Sequence, residues 1–197
     1  MTNRDARYRQ EYFERALDPK SWRDSAQQLM NAAALLEPKL AEFWATAREG
    51  AVPASSWRPW DDEFIATYFM LAAFAIENAL KARLVERRLE DFRREISSTG
   101  KLPSDLKSHR LYELCVSADL KALADEEEAL LRRLERSAVW YGRYPIPINS
   151  ADLKTQVEAK SRDGQISLTM YSSSDRKWIR RILTKLKVQA SGGHAAV

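Results

Sequence analysis

The sequence contains little cysteine, glycine and proline. Its single cysteine, Cys115, has no partner for an internal disulfide, and no basic-then-apolar signal segment opens the chain, so we expect a cytoplasmic protein. Six glycines and seven prolines in 197 residues are too few for a turn-rich all-β fold. We therefore expect a predominantly α-helical chain.

The motifs of several common chemistries are also missing. No Cys or His cluster has zinc-ligand spacing, no glycine-rich phosphate loop occurs, and there is no G-x-S-x-G nucleophile elbow. We predict neither a metal nor a cofactor. The longest apolar run, residues 64–76, is interrupted only by Thr67 and falls short of the roughly 20 residues that cross a bilayer. It predicts a buried core helix and no membrane span.

Length and composition indicate one globular domain, because 45% of the residues are hydrophobic and 30% are charged. We predict a single helical domain over residues 1–190 and a flexible tail over 191–197. Within the domain, a core at 60–150 is flanked by extra helices at 1–50 and 150–190.

Apolar periodicity predicts the first helices. A helix at 5–17 ends at Asp18-Pro19, because the residue before proline avoids the α region. The pattern at 22–47 predicts a second helix, which Pro38 either kinks or divides. A third helix runs from 62 to about 88, with Asp61 as its N-cap. Because residues 64–76 are apolar on all sides, we place them at the centre of an up-and-down helical bundle.

The second half of the chain predicts shorter elements. A helical stretch at 89–96 precedes a loop at 97–103, and two more helices cover 111–118 and 125–141. After the prolines of GRYPIP, Ser150 caps a further helix, and residues 165–171 form either a short strand or part of a hairpin that turns at Asp163-Gly164. The last helix is capped by Ser174 or Asp175, with Trp178, Ile182 and Leu186 on its inner side.

Three segments, in the order 69–87, 100–120 and 130–147, carry a family resemblance. The first contains Glu77 and Lys81, the second places His109 ahead of a leucine-rich helix, and the third ends a long helix at Arg143-Tyr144-Pro145. Together they resemble the HEPN superfamily of small helical-bundle proteins over about residues 60–150. The resemblance implies an up-and-down helical core, homodimerisation, and a group that includes metal-independent ribonucleases of bacterial toxin–antitoxin and defence systems.

The chain departs from the catalytic pattern of that family, in which an Arg is followed a little over one helical turn later by a His. Neither His109 nor His194 has an arginine among the seven residues before it. The ordinary ribonuclease motif is therefore absent. A pairing of Arg143 with His109 in space remains open as an alternative.

Each candidate residue has a structural and a functional interpretation. Glu77, Asn78 and Lys81 belong either to a structural network or dimer contact, in which Glu77 and Lys81 at i and i+4 can pair with each other, or to a site. Tyr144 is a further candidate for the same network or site. His109 is a proton-transfer group, a helix cap or an interhelical hydrogen-bond donor. Arg143 stands either at a helix end that favours a cation or in a site.

Net charge is +4 and the isoelectric point is about 9.2. Six basic residues cluster near the C-terminus with no acidic residue among them. They are Arg176, Lys177, Arg180, Arg181, Lys185 and Lys187. They either contact nucleic-acid phosphates or form a solvated face. The tryptophans fall on or near apolar faces, which favours packing over base stacking.

Three hypotheses follow. We favour a non-catalytic or degenerate HEPN-like helical protein, a homodimer that binds RNA or a protein partner in bacterial stress or defence. The second hypothesis is a metal-independent endoribonuclease that uses Arg143 and His109. The third is a protein-interaction module that does not bind nucleic acid.

Overall fold

The computed structural model describes residues 3–48, 63–120, 123–138, 158–161, 164–167 and 171–188. These ranges hold eight helices and one two-stranded antiparallel hairpin, so the predicted all-α class is confirmed. In chain order the elements are α1 (Asn3–Ala16), α2 (Pro19–Ala34), α3 (Glu37–Arg48), α4 (Glu63–Thr99), α5 (Ser104–Lys107), α6 (Leu111–Ser117), α7 (Asp125–Arg136), β1 (Glu158–Ser161), β2 (Gly164–Ser167) and α8 (Asp175–Lys185).

Asp18 and Pro19 separate α1 from α2 as predicted. Asp18 is the N-cap of α2, where its carboxylate accepts hydrogen bonds from the backbone nitrogens of Lys20 and Ser21, both at 3.0 Å. The Ser21 hydroxyl also donates to this carboxylate at 2.7 Å, and this bond lowers the pKa of Asp18 below its usual value. Trp22 Nε1 donates to the Ala16 carbonyl at 2.8 Å, which fixes the corner between the two helices.

Pro38 divides the second predicted helix rather than kinking it. Helix α2 ends at Ala34 and α3 begins at Glu37, which places Pro38 in the first turn of α3. A proline is tolerated there because the amide it lacks would have no partner within the helix. The buried face continues across the break from Ala33 to Leu40.

Helix α4 lies at the centre of the bundle and contacts α2, α3, α6, α7 and α8. The prediction that residues 64–76 are central is confirmed, although one stripe of this segment is half-buried. Fully buried side chains of α4 include Tyr68, Phe69, Ala72, Ala73, Ile76, Ala79 and Leu80. By length and composition α4 could cross a membrane, and 67% of its most apolar stretch is buried inside the structure. Such burial is what a core helix requires.

The kink in α4 separates the two helical stretches that the sequence predicts. Arg88 has non-helical backbone angles, φ −127° and ψ 28°, and the helix resumes after it. The Arg88 guanidinium lies over the Phe92 ring and pairs with Asp105 of α5. One prediction was wrong here, and one element was not predicted. The loop begins at Gly100 rather than at 97, because α4 continues to Thr99, and the four-residue α5 was not predicted.

The β-hairpin alternative is confirmed, since β1 pairs with β2 and Ala159 lies opposite Ile166. Gly164, which was predicted to lie in the turn, instead pairs with Ser161 as the first residue of β2. Several other predictions lie outside the described residues. They are the Asp61 cap, the end of the 125–141 helix, the helix after Ser150, residues 168–170 and the tail at 191–197.

Helix α8 docks through an apolar face and one buried ion pair. Ile179, Ile182 and Leu183 are fully buried. Ser174 is the N-cap residue but makes no cap hydrogen bond with its side chain. Instead the Asp175 carboxylate accepts from the Ser172 backbone nitrogen at 2.6 Å and pairs with Arg133 Nη2 of α7 at 2.5 Å. Burial raises the pKa of Asp175, and the Arg133 cation opposes that rise.

Cys115 is buried in α6, and no described cysteine takes part in a disulfide. Burial raises the pKa of its thiol to about 12, because desolvation penalises the thiolate, and nearby Glu135 adds to the rise. Since the thiolate is the reactive form, Cys115 acts as a small apolar side chain in the native state.

Candidate functional site

A charged cluster lies where the apolar run of α4 ends. Glu77 and Lys81 are 5% and 3% exposed, and Lys81 Nζ donates to Glu77 Oε1 at 2.6 Å. The two residues are one helical turn apart, so their side chains share a face of α4. The pairing foreseen from the sequence is therefore present, and it is almost completely shielded from solvent.

His109 completes this cluster from the segment between α5 and α6. Its Nδ1 lies 3.1 Å from Oε1 and 3.0 Å from Oε2 of Glu77. The imidazole ring itself is 62% exposed. The helix-cap interpretation of His109 was wrong, because Arg110 is the N-cap residue of α6. The interhelical hydrogen bond is what the structure shows.

Asn78 forms its hydrogen bond within α4 rather than with this charged cluster. Its Nδ2 donates to the Phe74 carbonyl at 2.9 Å, one turn back along α4. Asn78 also lines an open cleft of about 650 Å³ between α1, α2 and α4. Trp22 lines the same cleft, and its ring centroid lies 5.5 Å from Lys81 Nζ. Trp22 thus borders the cleft and lies beside the buried ion pair.

Arg143 and Tyr144 lie outside the described residues. The structure therefore brings together Glu77, Lys81 and His109, and the pairing of Arg143 with His109 stays a prediction.

The basic residues of α8 have acidic partners on other helices. Arg180 pairs with Glu37 of α3 at 2.6 Å, and Glu127 of α7 lies 3.2 Å from Arg181 and 2.6 Å from Lys185. Sequence analysis missed these contacts because both acids are far away along the chain. Arg180 and Arg181 therefore help to hold α8 against α3 and α7.

Positive charge nevertheless predominates on this surface. Lys177, Arg180, Arg181 and Lys187 are exposed. The side chains of Arg180 and Arg181 are 44% and 50% exposed, although each is paired with an acidic residue. The Trp178 ring is half-buried, with Lys177 Nζ 4.9 Å and the Arg181 guanidinium carbon 5.5 Å from its centroid. Trp178 contributes packing here, as do the half-buried Trp22 and Trp44.

Glu127 is an acidic partner of the α8 cations that no sequence pattern singled out. It lies in the first turn of α7, where a negative charge complements the helix dipole and where its carboxylate accepts a local capping hydrogen bond from the Ala124 backbone nitrogen at 2.8 Å. Its complete burial involves α8, whose Arg181 and Lys185 pair with it from a distant part of the chain.

No family model, curated protein or solved structure matches this chain. The resemblance to the HEPN superfamily therefore stays a prediction, carried by the three segments described above. Within the described ranges, no group of three or more His, Cys, Asp or Glu side chains is placed to hold a metal ion. Among the residues that the structure describes, the arrangements that could support chemistry or binding are the Glu77–Lys81–His109 cluster and the basic surface of α8.

Proposed function

We propose that this protein is a non-catalytic, HEPN-like helical protein that binds RNA through the basic surface of α8. We further propose that it is a cytoplasmic homodimer that acts in bacterial stress or defence, on the strength of the family resemblance. The observation that carries the RNA-binding proposal is the excess of cations on α8. Helix α8 and Lys187 together supply six basic side chains, and among the described residues only Glu37 and Glu127 form ion pairs with them.

The docking contacts of Arg180 and Arg181 are compatible with phosphate binding. A guanidinium carries five N–H donors, and each ion pair here uses only part of that set. The exposed donors remain available to a phosphate oxygen. Since RNA carries one phosphate per nucleotide, a helix that presents several exposed cations gains affinity by releasing counterions from the strand.

Two exposed lysines give the clearest test of this surface, because neither takes part in an ion pair with any residue in the described part of the chain. We expect Lys177→Gln combined with Lys187→Gln to weaken binding of a labelled single-stranded RNA. The slope of log K against log salt should become shallower by about 1.4, which is roughly 0.7 for each lost phosphate contact. Fluorescence anisotropy at several salt concentrations measures both quantities.

The matched control is Arg93→Gln combined with Arg94→Gln, which removes the same charge from exposed positions of α4. This variant should bind RNA as the wild type does. Equal weakening in both variants would mean that net charge alone, and not the α8 surface, governs binding. If the wild-type protein does not bind RNA at low salt, the proposal fails and the protein-interaction module is left.

A second candidate function is metal-independent RNA cleavage by His109 and Arg143. The observation that favours it is the anchoring of the His109 ring on a buried carboxylate while the rest of the ring faces solvent. We expect EDTA-resistant cleavage that is lost in both His109→Ala and Arg143→Ala. Intact RNA after incubation of varied substrates with the pure protein would remove this candidate.

A further inference from the structure

The contact between His109 and Glu77 assigns different roles to the two imidazole nitrogens. An ionised carboxylate only accepts hydrogen bonds, so Nδ1, which lies 3.0 Å and 3.1 Å from its two oxygens, must carry a proton. In a neutral imidazole the other nitrogen, Nε2, then bears the lone pair. Among the described residues none forms a hydrogen bond to Nε2, and the ring is 62% exposed.

Lys81 holds the carboxylate in place and is its cationic partner. It donates to Glu77 Oε1 at 2.6 Å, and both side chains are buried. The Trp22 ring covers the Lys81 ammonium from the α2 side. Glu77 therefore bonds to Lys81 of its own helix and also contacts His109. A flip of the imidazole ring that exchanged Nδ1 and Nε2 would break the contact with His109 Nδ1.

We infer that Glu77 is a positioning residue that holds neutral His109 in the Nδ1–H tautomer and presents the Nε2 lone pair to solvent as a proton acceptor. The group it would serve is a substrate hydroxyl. The hydroxyl proton would move to Nε2, Nδ1 would keep its own proton, and the resulting imidazolium would face the Glu77 carboxylate, which stays ionised. The use of this acceptor on RNA rests on the second candidate function, whereas the tautomer does not.

The tautomer can be read directly, because the chain has only two histidines. In ¹⁵N-labelled protein at a pH above the histidine titration range, Nδ1 of His109 should show the chemical shift of a protonated nitrogen and Nε2 that of an unprotonated one. His194→Gln removes the second histidine and assigns the signals. The same protein unfolded in urea gives the reference mixture, in which an unrestrained imidazole favours Nε2–H.

The decisive variant combines Glu77→Leu with Lys81→Met, which removes both charges and leaves neither unpaired. With folding verified by circular dichroism, His109 should lose its preference for Nδ1–H and approach the mixture seen in urea. Two results would overturn the inference: a wild-type His109 that favours Nε2–H, or a double variant that keeps the wild-type tautomer.

An RNA cleavage assay distinguishes failure of the ribonuclease candidate from failure of the proposal that Glu77 orients His109. If the wild-type protein cleaves RNA, the double variant should lose up to about 10⁴-fold in kcat with KM little changed, as expected when a carboxylate that orients a histidine is removed. An unchanged kcat would contradict the positioning role. If the wild-type protein cleaves no RNA, the ribonuclease candidate fails, and the nitrogen spectra alone decide whether Glu77 orients His109.

Discussion

Arg133→Ala is expected to lower the free energy of unfolding by about 3–5 kcal/mol, because it leaves the buried Asp175 carboxylate without its cation. The side chains of Arg133 and Asp175 are 6% and 2% exposed, and their 2.5 Å contact joins α7 to the first residue of α8. Water cannot replace the guanidinium at such a site. Urea unfolding followed by circular dichroism should show a lower midpoint with an unchanged m-value.

Two further variants show whether the buried charge is the cause. Arg133→Met combined with Asp175→Asn removes both charges and keeps an oxygen to accept from the Ser172 backbone nitrogen, so it should recover most of the lost stability. Arg94→Ala breaks an ion pair in which the arginine is 78% exposed and should leave the midpoint close to that of the wild type. Equal effects of Arg133→Ala and Arg94→Ala would rule out this account of α8 docking.

Glu77→Ala is expected to be about as destabilising, again by about 3–5 kcal/mol, because Lys81 would remain buried and unpaired beside Trp22. The combination of Glu77→Leu with Lys81→Met should restore most of this loss, since apolar side chains of similar size fill the same space. The measurement is the same urea titration.

His109→Ala is the matched control for this cluster. The His109 ring is mostly exposed, so its loss removes a partner of Glu77 while the ion pair with Lys81 persists. It should destabilise the protein much less than Glu77→Ala does. Comparable destabilisation by both variants would mean that the imidazole, rather than Lys81, is the main partner of the buried carboxylate.

Sequence periodicity predicted the long helices because their burial repeats every three to four residues. The break at Asp18-Pro19 and the division at Pro38 follow from backbone sterics, which act locally and can be read from the sequence. Helix α5 spans only four residues, too few for any repeat to appear. The end of α4 was predicted too early, because serine and threonine, the residue types at 97–99, are common in loops. The helix nevertheless continues through these residues.

Contacts between distant segments account for most of what the sequence did not reveal. Glu77 and Lys81 are one turn apart, so their pairing was predictable, whereas His109 is 32 residues from Glu77. Arg132 and Arg133 are neighbours in the same run of α7 and look equivalent in sequence. Only Arg133 is buried, because α8 covers that side of the helix and supplies Asp175.

The same reasoning changes how the basic C-terminal helix is understood. Residues 176–187 contain six cations and no acid, which predicted either phosphate contacts or a solvated face. In the fold, Glu37 and Glu127 meet three of these cations, so part of the charge stabilises the position of α8. The exposed remainder carries the proposal of RNA binding.

Salt titration of RNA binding by the wild-type protein tests the central proposal most directly. Four exposed cations, Lys177, Arg180, Arg181 and Lys187, predict a slope of log K against log salt of about −3, at roughly 0.7 for each phosphate contacted on a single strand. A labelled single-stranded RNA and fluorescence anisotropy suffice for the measurement. Binding that weakens with this slope would support RNA recognition by the α8 surface, whereas no binding at low salt, or an affinity independent of salt, would contradict it.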